Sequence, residues 1–499
     1  MSRPLVCLCL TGKTLAEDVS IAEKFGQYID LVELRADFLE DDERLNIRDF
    51  PGMISVPSIL TIRRAIDGGK YFEGEASRTQ LFARGLAFAH QDNRKNFAYV
   101  DFEDDFHIPS LEDAALAFGT RIIRSFHDMK NPVKNLKERL TKMRTTGYEI
   151  PKIAFMPHTI RDVTEAFEEA AQLNNSEQIL CAMSSLGFPT RILSEKFHSY
   201  LTYTSPDEIL NEQAELGHID PKTLSDMYHF RSIDQSTKLY GITGYPLKIT
   251  SSPKLQNSLF DANSMNAVYF PFKSETAEDA LEFAKKIGIR GFSVTIPHKE
   301  DIIPRLDKVD PKVSEIGACN TVINDNGVWT GYNTDCTGFS KALLEFTELK
   351  NLKDKKVAVI GAGGASRAIA YAVKNLGAKA CIFNRTIGKA KIIAEKFGFE
   401  YASLGPESLE KLHEFSDIII QTTSKGMGST ELPNSNNDPI YFYDFTGNEY
   451  IYDIIYSPEV TPVMARADAS GCRVCNGYTM LKYQGEAQFE LFSKVYRQV

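Results

Sequence analysis

A cluster of glycines at residues 361–364 carries the clearest chemical signal in the chain. An apolar run, Val357 to Ile360, precedes it, and an alanine-rich helical pattern follows. Glycine permits a tight turn and lets the backbone approach a pyrophosphate, which then lies at the positive end of the next helix. This order predicts a dinucleotide site lined by Gly361, Ala362, Gly363, Gly364 and Ala365, with Ala365 or Ser366 replacing the motif's third glycine.

The next apolar run ends at Asn384, Arg385 and Thr386, where a site for NAD would carry an acidic residue for the ribose hydroxyls. An amide and a guanidinium suit a 2′-phosphate instead, because arginine offers a planar fork of donors and a permanent charge. Lys389 adds a second cation. The sequence therefore predicts NADP(H) as the cofactor, the alternative being a core helix after an ordinary turn.

Lys152 lies on a short apolar run behind a proline, in PKIAFMP. We expect such a lysine inside a barrel, where desolvation lowers its pKa and makes the amine a nucleophile toward carbonyl groups. The lysine stands at the start of the run, whereas barrel chemistry usually takes place at the carboxyl ends of strands.

Lys299 follows a proline turn in SVTIPHKE, and Asp335 lies further along in GYNTDCTGF. A ketone that is reduced to an alcohol needs a hydride from nicotinamide and a proton near the carbonyl oxygen. A lysine held by an aspartate can supply that proton and stabilise charge in the transition state. For either residue seen alone, a surface ion pair is the alternative.

The composition is that of an ordinary globular protein, with 43% hydrophobic and 25% charged residues in a chain of 499, long enough for about two to four domains. The net charge of −10 argues against nucleic acid or an anionic membrane as the main partner. No apolar run is long enough to cross a bilayer, and the N-terminal run fits a first strand better than a signal peptide. Eight cysteines in so long a chain predict reduced thiols in a cytoplasmic protein, without a metal site.

Short apolar runs recur from residue 1 to about 232, with amphipathic helical patterns between several of them. The eight runs cover residues 5–10, 29–35, 58–62, 97–103, 121–126, 152–156, 178–183 and 200–203. Eight strands that alternate with helices over this length favour a (β/α)8 barrel, although a doubly wound sheet has a similar periodicity.

Polar residues lie at the ends of these runs, in VELRADFL, in TIRR followed by a glycine pair, in SFHD and in PTRIL. Together with PKIAFMP, these motifs resemble type I 3-dehydroquinate dehydratase in order and spacing over residues 1–232. The resemblance implies a (β/α)8 barrel in which Lys152 is the Schiff-base lysine and His127 the general acid/base. It also implies substrate contacts from Glu33, Arg35, Arg63 and Arg191.

Two positions depart from the pattern of that family. Asp67 stands where a glutamate usually supports the histidine, which shortens the side chain by one methylene. The mobile lid, usually Ser-Ala-Pro-Gly-Gln, corresponds to Ala214-Glu215-Leu216-Gly217-His218, so that His218 takes the place of the glutamine. These changes leave an alternative open, a barrel that has lost turnover and serves as a docking or regulatory module.

After a polar segment at 229–238, a second set of motifs runs to the end of the chain, from GITGYPLKITSSP through GACNTV to NGYTMLKYQGEAQF. With SVTIPHKE, GYNTDCTGF and the glycine cluster, they resemble shikimate dehydrogenase over residues 239–499. The family's His-Ser-Lys-Ser loop reads Ile249-Thr250-Ser251-Ser252 here, and Thr250 keeps a hydroxyl. The alternative for Ser252 is a helix cap.

The second resemblance implies a two-lobed unit with a Rossmann lobe, and it makes Lys299 and Asp335 the catalytic pair. It implies a substrate pocket made of Thr250, Ser252, Thr295, Asn320, Tyr456 and Gln484. Gly477 belongs to the cofactor side by the same resemblance, and we assign Thr423, at the end of the apolar run SDIIIQ, to that side as well.

The sequence therefore predicts an α/β enzyme with a barrel over 1–232, a substrate lobe over 239–335 completed by 478–499, and a Rossmann lobe over 336–477. It would dehydrate 3-dehydroquinate to 3-dehydroshikimate and reduce that product to shikimate with NADPH, so its partners are these small molecules. An NAD-linked quinate/shikimate dehydrogenase is an alternative, against which the Asn384-Arg385-Thr386 segment argues. A purely structural NADP-binding protein does not account for Lys299 and Asp335.

Overall fold

The structure is a computed structural model that describes residues 3–86, 93–173, 177–210, 216–247 and 250–497. The chain groups into two compact units. The first consists of Met1–Ile249 and Phe260–Ile289, and the second of Thr250–Leu259 and Arg290–Val499. This grouping differs from the three predicted segments, whose boundaries stay a prediction.

Eight parallel strands form the barrel of the first unit: β1 (Leu5–Leu10), β2 (Leu31–Arg35), β3 (Ser58–Thr61), β4 (Tyr99–Glu103), β5 (Arg121–Asp128), β6 (Ile150–Phe155), β7 (Ile179–Ala182) and β8 (Leu201–Thr204). Their order is β7-β6-β5-β4-β3-β2-β1-β8, and a bridge between Gln178 and Ser199 joins the ends of the sheet. This ring in chain order confirms the (β/α)8 barrel, and the doubly wound alternative is wrong.

Helices alternate with these strands: α1 (Leu15–Phe25), α2 (Asp41–Arg44), α3 (Phe50–Met53), α4 (Glu75–Leu86), α5 (Pro109–Ala117), α6 (Leu136–Lys142), α7 (Ile160–Ala171), α8 (Phe188–Ile192) and α9 (Pro221–Asp226). Local sequence sets where some of them begin. Thr14 and Glu17 form a capping box at the start of α1, and Thr159 and Asp162 do the same for α7.

The first residues of the barrel strands form an apolar layer inside the barrel. It contains Leu31, Ile59, Ile123, Ile150, Ile179 and Leu201. Lys152 is the third residue of β6 and is paired in register with Ser125 and Ile179. The strand therefore begins two residues earlier than predicted, and the lysine lies in the middle of the strand, in register with Ile179 of the apolar layer.

The second half of the chain contributes the remaining helices, α10 (Ser252–Ala262), α11 (Ala277–Ile287), α12 (Pro311–Ile316), α13 (Asp335–Thr347), α14 (Gly364–Asn375), α15 (Ile387–Phe397), α16 (Leu409–Glu414), α17 (Pro462–Ala469) and α18 (Tyr478–Tyr496). Its first strands are β9 (Lys238–Thr243) and β10 (Ala267–Pro271). These two pair in parallel within the first unit, where α11 packs on α7 through Phe283 and Phe167.

In the second unit, β11 (Ile289–Val294), β13 (Thr321–Asp325) and β14 (Val328–Tyr332) form an antiparallel sheet, and β12 (Lys308–Val309) pairs in parallel with β14. The long helix α18 packs on α13 and reaches back to β13. Gly338 of α13 makes this packing possible, because a Cβ there would lie 2.5 Å from the backbone nitrogen of Gln484.

Six parallel strands form a second sheet in this unit: β15 (Lys356–Ile360), β16 (Lys379–Asn384), β17 (Glu400–Ser403), β18 (Ile418–Gln421), β19 (Tyr450–Asp453) and β20 (Arg473–Cys475). Their order is β17-β16-β15-β18-β19-β20. This is the Rossmann arrangement, in which the chain changes direction between the first and fourth strands and leaves a crevice at their carboxyl ends. No helix in the described residues is long and apolar enough to span a membrane.

Candidate active sites

Eight side chains predicted for the first site line one pocket at the carboxyl end of the barrel. The pocket has a volume of about 510 Å³ and is closed partly by the apolar side chains of Met129, Met183 and Leu216. The eight side chains are Glu33, Arg35, Arg63, Asp67, His127, Lys152, Arg191 and His218. Loops and strands far apart in the chain thus bring one lysine, two histidines and three arginines together.

Lys152 lies between two carboxylates inside the barrel. Its Nζ is 3.0 Å from Asp101 Oδ2 and 3.5 Å from Glu33 Oε1, and only 6% of the side chain is exposed. Burial by itself lowers the pKa of Lys152, but Asp101 and Glu33 outweigh burial, so the pKa is raised. The expectation of a pKa lowered by desolvation is therefore wrong, because the barrel supplies counter-charges.

Asp101 is a site residue that the sequence reasoning missed. It is fully buried and accepts hydrogen bonds from Lys152 and from Ser125 Oγ, and Arg63 Nη2 lies 2.8 Å from its Oδ2. Burial by itself raises the pKa of Asp101, but the opposing effect of Arg63 and Lys152 is larger. The pKa of Asp101 is therefore well below its ordinary value. The signal was available, since Asp101 and Glu103 are two apart on a strand and so share one face, as Glu33 and Arg35 do.

His127 faces this cluster in a neutral form. Burial, together with the cations Arg63 and Lys152, lowers the pKa of His127 well below its ordinary value. Its buried Nδ1 has no hydrogen-bond partner within the described part of the chain. Asp67 instead accepts a hydrogen bond from Arg64 Nε at 2.6 Å, and burial raises the pKa of Asp67 despite that arginine. The shorter aspartate thus lines the pocket but is held by Arg64 rather than by the histidine.

The predicted arginines of the barrel have different partners. Arg35 forms a bidentate pair with Asp37, and Arg63 is held by Asp101 and Glu103. Arg191 is buried and donates to the carbonyl of Leu216, and it takes part in no ion pair among the described residues. Its buried Nε lacks a hydrogen-bond partner there. Among the three predicted arginines, Arg191 is therefore the one whose positive charge is not already paired with a described carboxylate and can bind an anion.

The predicted lid is described from Leu216 onward; Ala214 and Glu215 lie outside the described residues. Gly217 has a φ of +61°, and a Cβ there would collide with the backbone of Ser184. His218 lies over Tyr203 with the two rings nearly parallel, and its Nδ1 is 2.6 Å from Ser205 Oγ. Burial and Arg191 lower the pKa of His218 well below its ordinary value, so a neutral imidazole faces the pocket.

The second predicted pair is brought together as expected. Lys299 Nζ lies 2.6 Å from Asp335 Oδ2, and the other carboxylate oxygen accepts a hydrogen bond from Asn320 Nδ2 at 2.8 Å. Asp335 is the first residue of α13, where the positive end of the helix favours its negative charge. The amide of Asn320 also donates to Thr334 Oγ1 at 2.9 Å. The carboxylate thus has fixed partners on both oxygens.

Three of the remaining substrate residues, Gln484, Ser252 and Thr250, lie on or next to α18 and α10, which hydrogen bonds connect to this pair. Gln484 Oε1 lies 3.4 Å from both the amide of Asn320 and the hydroxyl of Thr334. Gln256 of α10 donates a hydrogen bond to the carbonyl of Gly485, the residue after Gln484 on α18. Thr250 Oγ1 donates to Ser252 Oγ at 3.1 Å, just where α10 begins. Ile249 of this loop lies outside the described residues.

Thr295 and Tyr456 are both half-buried and follow strands. Thr295 comes directly after β11, and its carbonyl accepts a hydrogen bond from His298 in the turn that leads to Lys299. Tyr456 follows β19, beside Ile455, whose carbonyl accepts a hydrogen bond from Gly477 N at the start of α18. A Cβ at Gly477 would collide with the Ile454 carbonyl, which explains the glycine at this position.

The glycine cluster forms a turn at the Rossmann crevice. Gly361 has a φ of +116°, and a Cβ there would lie 2.5 Å from Thr422 Oγ1. Gly363 is the N-cap of α14 and would meet nothing within 4 Å, so open space lies over its α-carbon. Ser366 occupies the third motif position, where its hydroxyl accepts from Gly363 N and bonds Thr422 Oγ1. The sequence left the third position open between Ala365 and Ser366, and in the structure Ser366 is the residue that fixes the turn.

The residues that follow β16 suit a phosphate. Asn384 Nδ2 donates to the carbonyl of Thr386, which shapes the loop, while Arg385, Thr386 and Lys389 are exposed. Thr423 lies across the crevice after β18, with its backbone nitrogen bonded to Gln421 Oε1. Open space at Gly363, the helix N-terminus and exposed cations together fit a dinucleotide with a 2′-phosphate. Gly364 lies beside this turn, and a Cβ added to it would lie 3.6 Å from Lys299 Cδ.

Family models match the chain in three parts. A model of type I 3-dehydroquinase matches residues 6–235, one of the shikimate dehydrogenase substrate binding domain matches 242–322, and one of shikimate/quinate 5-dehydrogenase matches 344–431. The matches follow one another in the order that the two resemblances imply.

Individual proteins are similar to the whole chain or to its second half. A bifunctional 3-dehydroquinate dehydratase/shikimate dehydrogenase of Arabidopsis thaliana is 32% identical over 95% of this chain and 79% of its own length. An NADP(+) shikimate dehydrogenase of Caldanaerobacter subterraneus is 39% identical over 52% of this chain and 93% of its own. The crystal structure of shikimate dehydrogenase from Aquifex aeolicus, 37% identical, aligns with a TM-score of 0.47 over 53% of this chain and 98% of that one.

The three family models together span both halves of the chain, and the Arabidopsis relative is similar over nearly all of it. The chain belongs to the family of bifunctional 3-dehydroquinate dehydratase/shikimate dehydrogenases, with a lyase in its barrel half and an NADP-linked oxidoreductase in its second half.

Proposed function

We propose that the two sites act in sequence, with Lys152 serving the dehydration of 3-dehydroquinate and Lys299 the reduction of its product to shikimate. The observation that carries this proposal is the pair of lysines, each hydrogen-bonded to a carboxylate, Lys152 with Asp101 and Lys299 with Asp335. One lysine lies in the pocket at the carboxyl end of the barrel, and the other lies beside the glycine turn of the Rossmann sheet.

In the barrel, the amine of Lys152 attacks the substrate ketone and water leaves as the imine forms. Glu33 can take up the ammonium proton, because its Oε1 lies 3.5 Å from Nζ, while Asp101 stays ionised beside Arg63. Neutral His127 accepts the proton next to the imine and returns it to the departing hydroxyl, which leaves as water. Hydrolysis of the imine then releases product and restores the lysine, so that one water is lost overall.

Arg191 is proposed to hold the substrate carboxylate, since it is buried and takes part in no ion pair among the described residues. Glu33, Arg35 and Arg63 would face the ring hydroxyls, and His218 would close the pocket from the lid side. Asp67 stays a candidate for proton transfer at the rim, where Arg64 holds it.

In the second half, NADPH supplies a hydride when it is bound. Lys299 would donate a proton at the carbonyl oxygen while Asp335, fixed by Asn320, keeps the ammonium in place. Thr250, Ser252, Thr295, Tyr456 and Gln484 would bind the ring. Arg385, Thr386 and Lys389 would bind the 2′-phosphate, with Asn384 shaping their loop, and the turn at Gly361–Ala365 with Thr423 and Gly477 would hold the rest of the nucleotide.

We also place the enzyme in the cytoplasm, with no nucleic-acid partner. Eight cysteines that all remain free are suited to a reducing compartment, and the net charge of −10 disfavours polyanions. The Arabidopsis relative is described as chloroplastic, which applies to that protein. Fractionation of the source cells with an antibody to the chain tests the location.

A coupled assay tests the sequence of reactions. The purified chain is given 3-dehydroquinate and NADPH, and loss of nicotinamide absorbance is followed. Consumption is expected, and Lys152→Ala should abolish it while reduction of added 3-dehydroshikimate continues. Reduction of added 3-dehydroshikimate without any consumption of 3-dehydroquinate by the wild type would contradict the proposal and favour a barrel that acts as a docking or regulatory module.

A cofactor comparison tests the second alternative. NADPH and NADH are compared at equal concentrations with 3-dehydroshikimate as substrate. A lower KM for NADPH is expected from the cations after β16, and a preference for NADH would indicate an NAD-linked quinate/shikimate dehydrogenase.

A further inference from the structure

A chain of alternating buried charges leads from the catalytic lysine of the barrel to a helix outside it. Lys152 bonds Asp101, Asp101 bonds Arg63, and Arg63 Nη1 donates to Glu103 Oε1 at 2.8 Å. The other oxygen of Glu103 accepts from Arg78 Nη1 at 2.7 Å. Arg78 lies on α4, so the chain crosses the barrel wall from the interior to the outer layer of helices.

Arg78 is held firmly although it lies in the core. Its side chain is fully buried, donates to the Ile62 carbonyl at 3.0 Å and lies 4.5 Å from the centre of the Phe106 ring. Its Nε also bonds Glu75 at the protein surface. Burying an arginine this deeply is costly unless its charge is balanced, and Glu103 balances it.

The charges of this chain cancel. Lys152, Arg63 and Arg78 carry three positive charges, and Glu33, Asp101 and Glu103 carry three negative ones. Arg63 bonds Asp101 through Nη2 and Glu103 through Nη1, so the two carboxylates share the charge of one guanidinium. Arg78 is a second cation on Glu103. It leaves more of the Arg63 charge to neutralise Asp101, so Asp101 needs less of the Lys152 charge.

We propose that Arg78 is a positioning residue of the dehydratase: by neutralising Glu103 it keeps Arg63 on Asp101 and lets Lys152 give up its proton for attack on the ketone. This inference rests on the proposed role of Lys152. Arg78 touches no pocket atom, since it is absent from the residues that line the pocket among those described.

The titratable and charged groups around Lys152 are Cys7, Cys9, Glu33, Arg63, Asp101, His127, Cys181, Tyr203 and His218. None of them is changed by a substitution at Arg78. Loss of the Arg78 charge leaves one surplus negative charge beside the cluster, which favours the ammonium form of Lys152. The acidic limb of the dehydratase pH profile then moves to higher pH.

The test measures kcat/KM for 3-dehydroquinate against pH in the full chain. In Arg78→Met we expect the acidic limb to move up by roughly 1 pH unit or less, since a unit charge about 12 Å away in an effective dielectric near 20 shifts a pKa by about 1. In Glu103→Gln it should move down. In the double variant Arg78→Met/Glu103→Gln, which is again neutral, it should return to the wild-type position.

Two controls separate positioning from mere stability. Arg44→Met removes another largely buried arginine, bonded to Glu73 and to the Ala36 carbonyl, and should lower stability without moving the limb. Reduction of 3-dehydroshikimate reports folding of the second half in each sample. If Arg78→Met does not fold, Arg78→Gln, which also lacks the charge, and Glu103→Gln carry the test. An unmoved limb in Arg78→Met, or a double variant that keeps the shift, overturns the proposal, whereas a wild type without lyase activity overturns the proposed function instead.

Discussion

The two active sites each place a lysine beside an aspartate, but the surroundings differ. Lys152 shares Asp101 with Arg63, and Glu33 lies on its other side, so the barrel holds a network of charges. Lys299 meets one carboxylate, and that carboxylate is completed by the neutral amide of Asn320 at the start of a helix. The lysine–aspartate pair thus has a second cation, Arg63, in the barrel, and the pair of Lys299 and Asp335 has none among the described residues.

This difference fits the two roles that we propose for the lysines. When Lys152 loses its proton, Asp101 keeps Arg63 as an ion-pair partner, and Glu33 keeps the hydroxyl of Thr61 as a hydrogen-bond donor. When Lys299 loses its proton, Asp335 keeps the amide and the helix end but no full charge among its hydrogen-bonded and ion-paired neighbours in the described residues. The first setting suits a nucleophile that must become neutral, and the second suits an acid that must be reprotonated.

The largest expected effects come from the two lysines. Lys152→Met should lower dehydratase kcat by at least about 10⁴-fold and prevent an adduct with 3-dehydroquinate after borohydride, because the covalent path is lost. Lys299→Met should lower reduction by about 10²- to 10⁴-fold, the usual range for a lost general acid. Each variant should leave the other half active, as measured by separate assays and by intact mass. A borohydride adduct in Lys152→Met would place the Schiff base elsewhere.

The two sites should also differ in how strongly they depend on one substrate-binding side chain. Arg191→Met should raise the KM for 3-dehydroquinate by about 10- to 150-fold, since a hydrogen bond to a charged group contributes about 1.5–3 kcal/mol. Ser252→Ala should raise the KM for 3-dehydroshikimate by only about 3- to 10-fold, because a neutral hydroxyl contributes about 0.5–1.5 kcal/mol. Steady-state kinetics at one pH measure both. Equal effects would mean that the two pockets hold the substrate in the same way.

Alanine substitutions at two glycines of one turn should have different effects, one on stability and the other on cofactor binding. Gly361→Ala should destabilise the second half, because φ is +116° and the new Cβ would lie 2.5 Å from Thr422 Oγ1. Gly363→Ala should fold normally, since its Cβ meets nothing within 4 Å, yet raise the KM for NADPH by about 10-fold by filling the space where the pyrophosphate approaches. Thermal unfolding and cofactor titration measure the two effects. Normal NADPH binding by Gly363→Ala would contradict this position for the phosphates.

The smallest expected effect concerns the exposed cations after β16. Arg385→Ala should raise the KM for NADPH by about 5- to 10-fold and leave that for NADH unchanged, because the 2′-phosphate is the one group that differs. Lys391→Ala is the matched control, since this lysine pairs with Glu395 on α15 and has no proposed role in cofactor binding. A parallel rise for NADH would indicate that Arg385 acts on the whole loop.

Most of the fold can be predicted from the sequence. The barrel strands appear as eight apolar runs, and the Rossmann turn appears as glycines between a strand and a helix. Where the prediction fails, the reason is local. β6 begins at Ile150, two residues before the predicted start of the apolar run, because Pro151 lies within the strand although a proline usually marks a boundary.

The candidate sites are predicted less completely. All eight barrel residues line one pocket, but the prediction misses Asp101 and Ser125, although they contact or neighbour the lysine that the chemistry needs. The predicted direction of the Lys152 pKa shift is wrong because Asp101 was missed, and this carboxylate and Glu33 raise the pKa. A single strand shows which side chains point inward, but it does not show which charges arrive from the other seven.

The sequence by itself determined the two chemistries, because a lysine in an apolar strand, a lysine after a proline turn and a glycine-rich turn are local patterns whose residues lie close together in the chain. Only the tertiary structure decided how those residues are charged and held. Arg63 is shared by Asp101 and Glu103, Asp67 is taken by Arg64, and Arg78 reaches the network from an outer helix. Coulomb interactions depend on distances in space, and folding brings together charges that the order of residues leaves far apart.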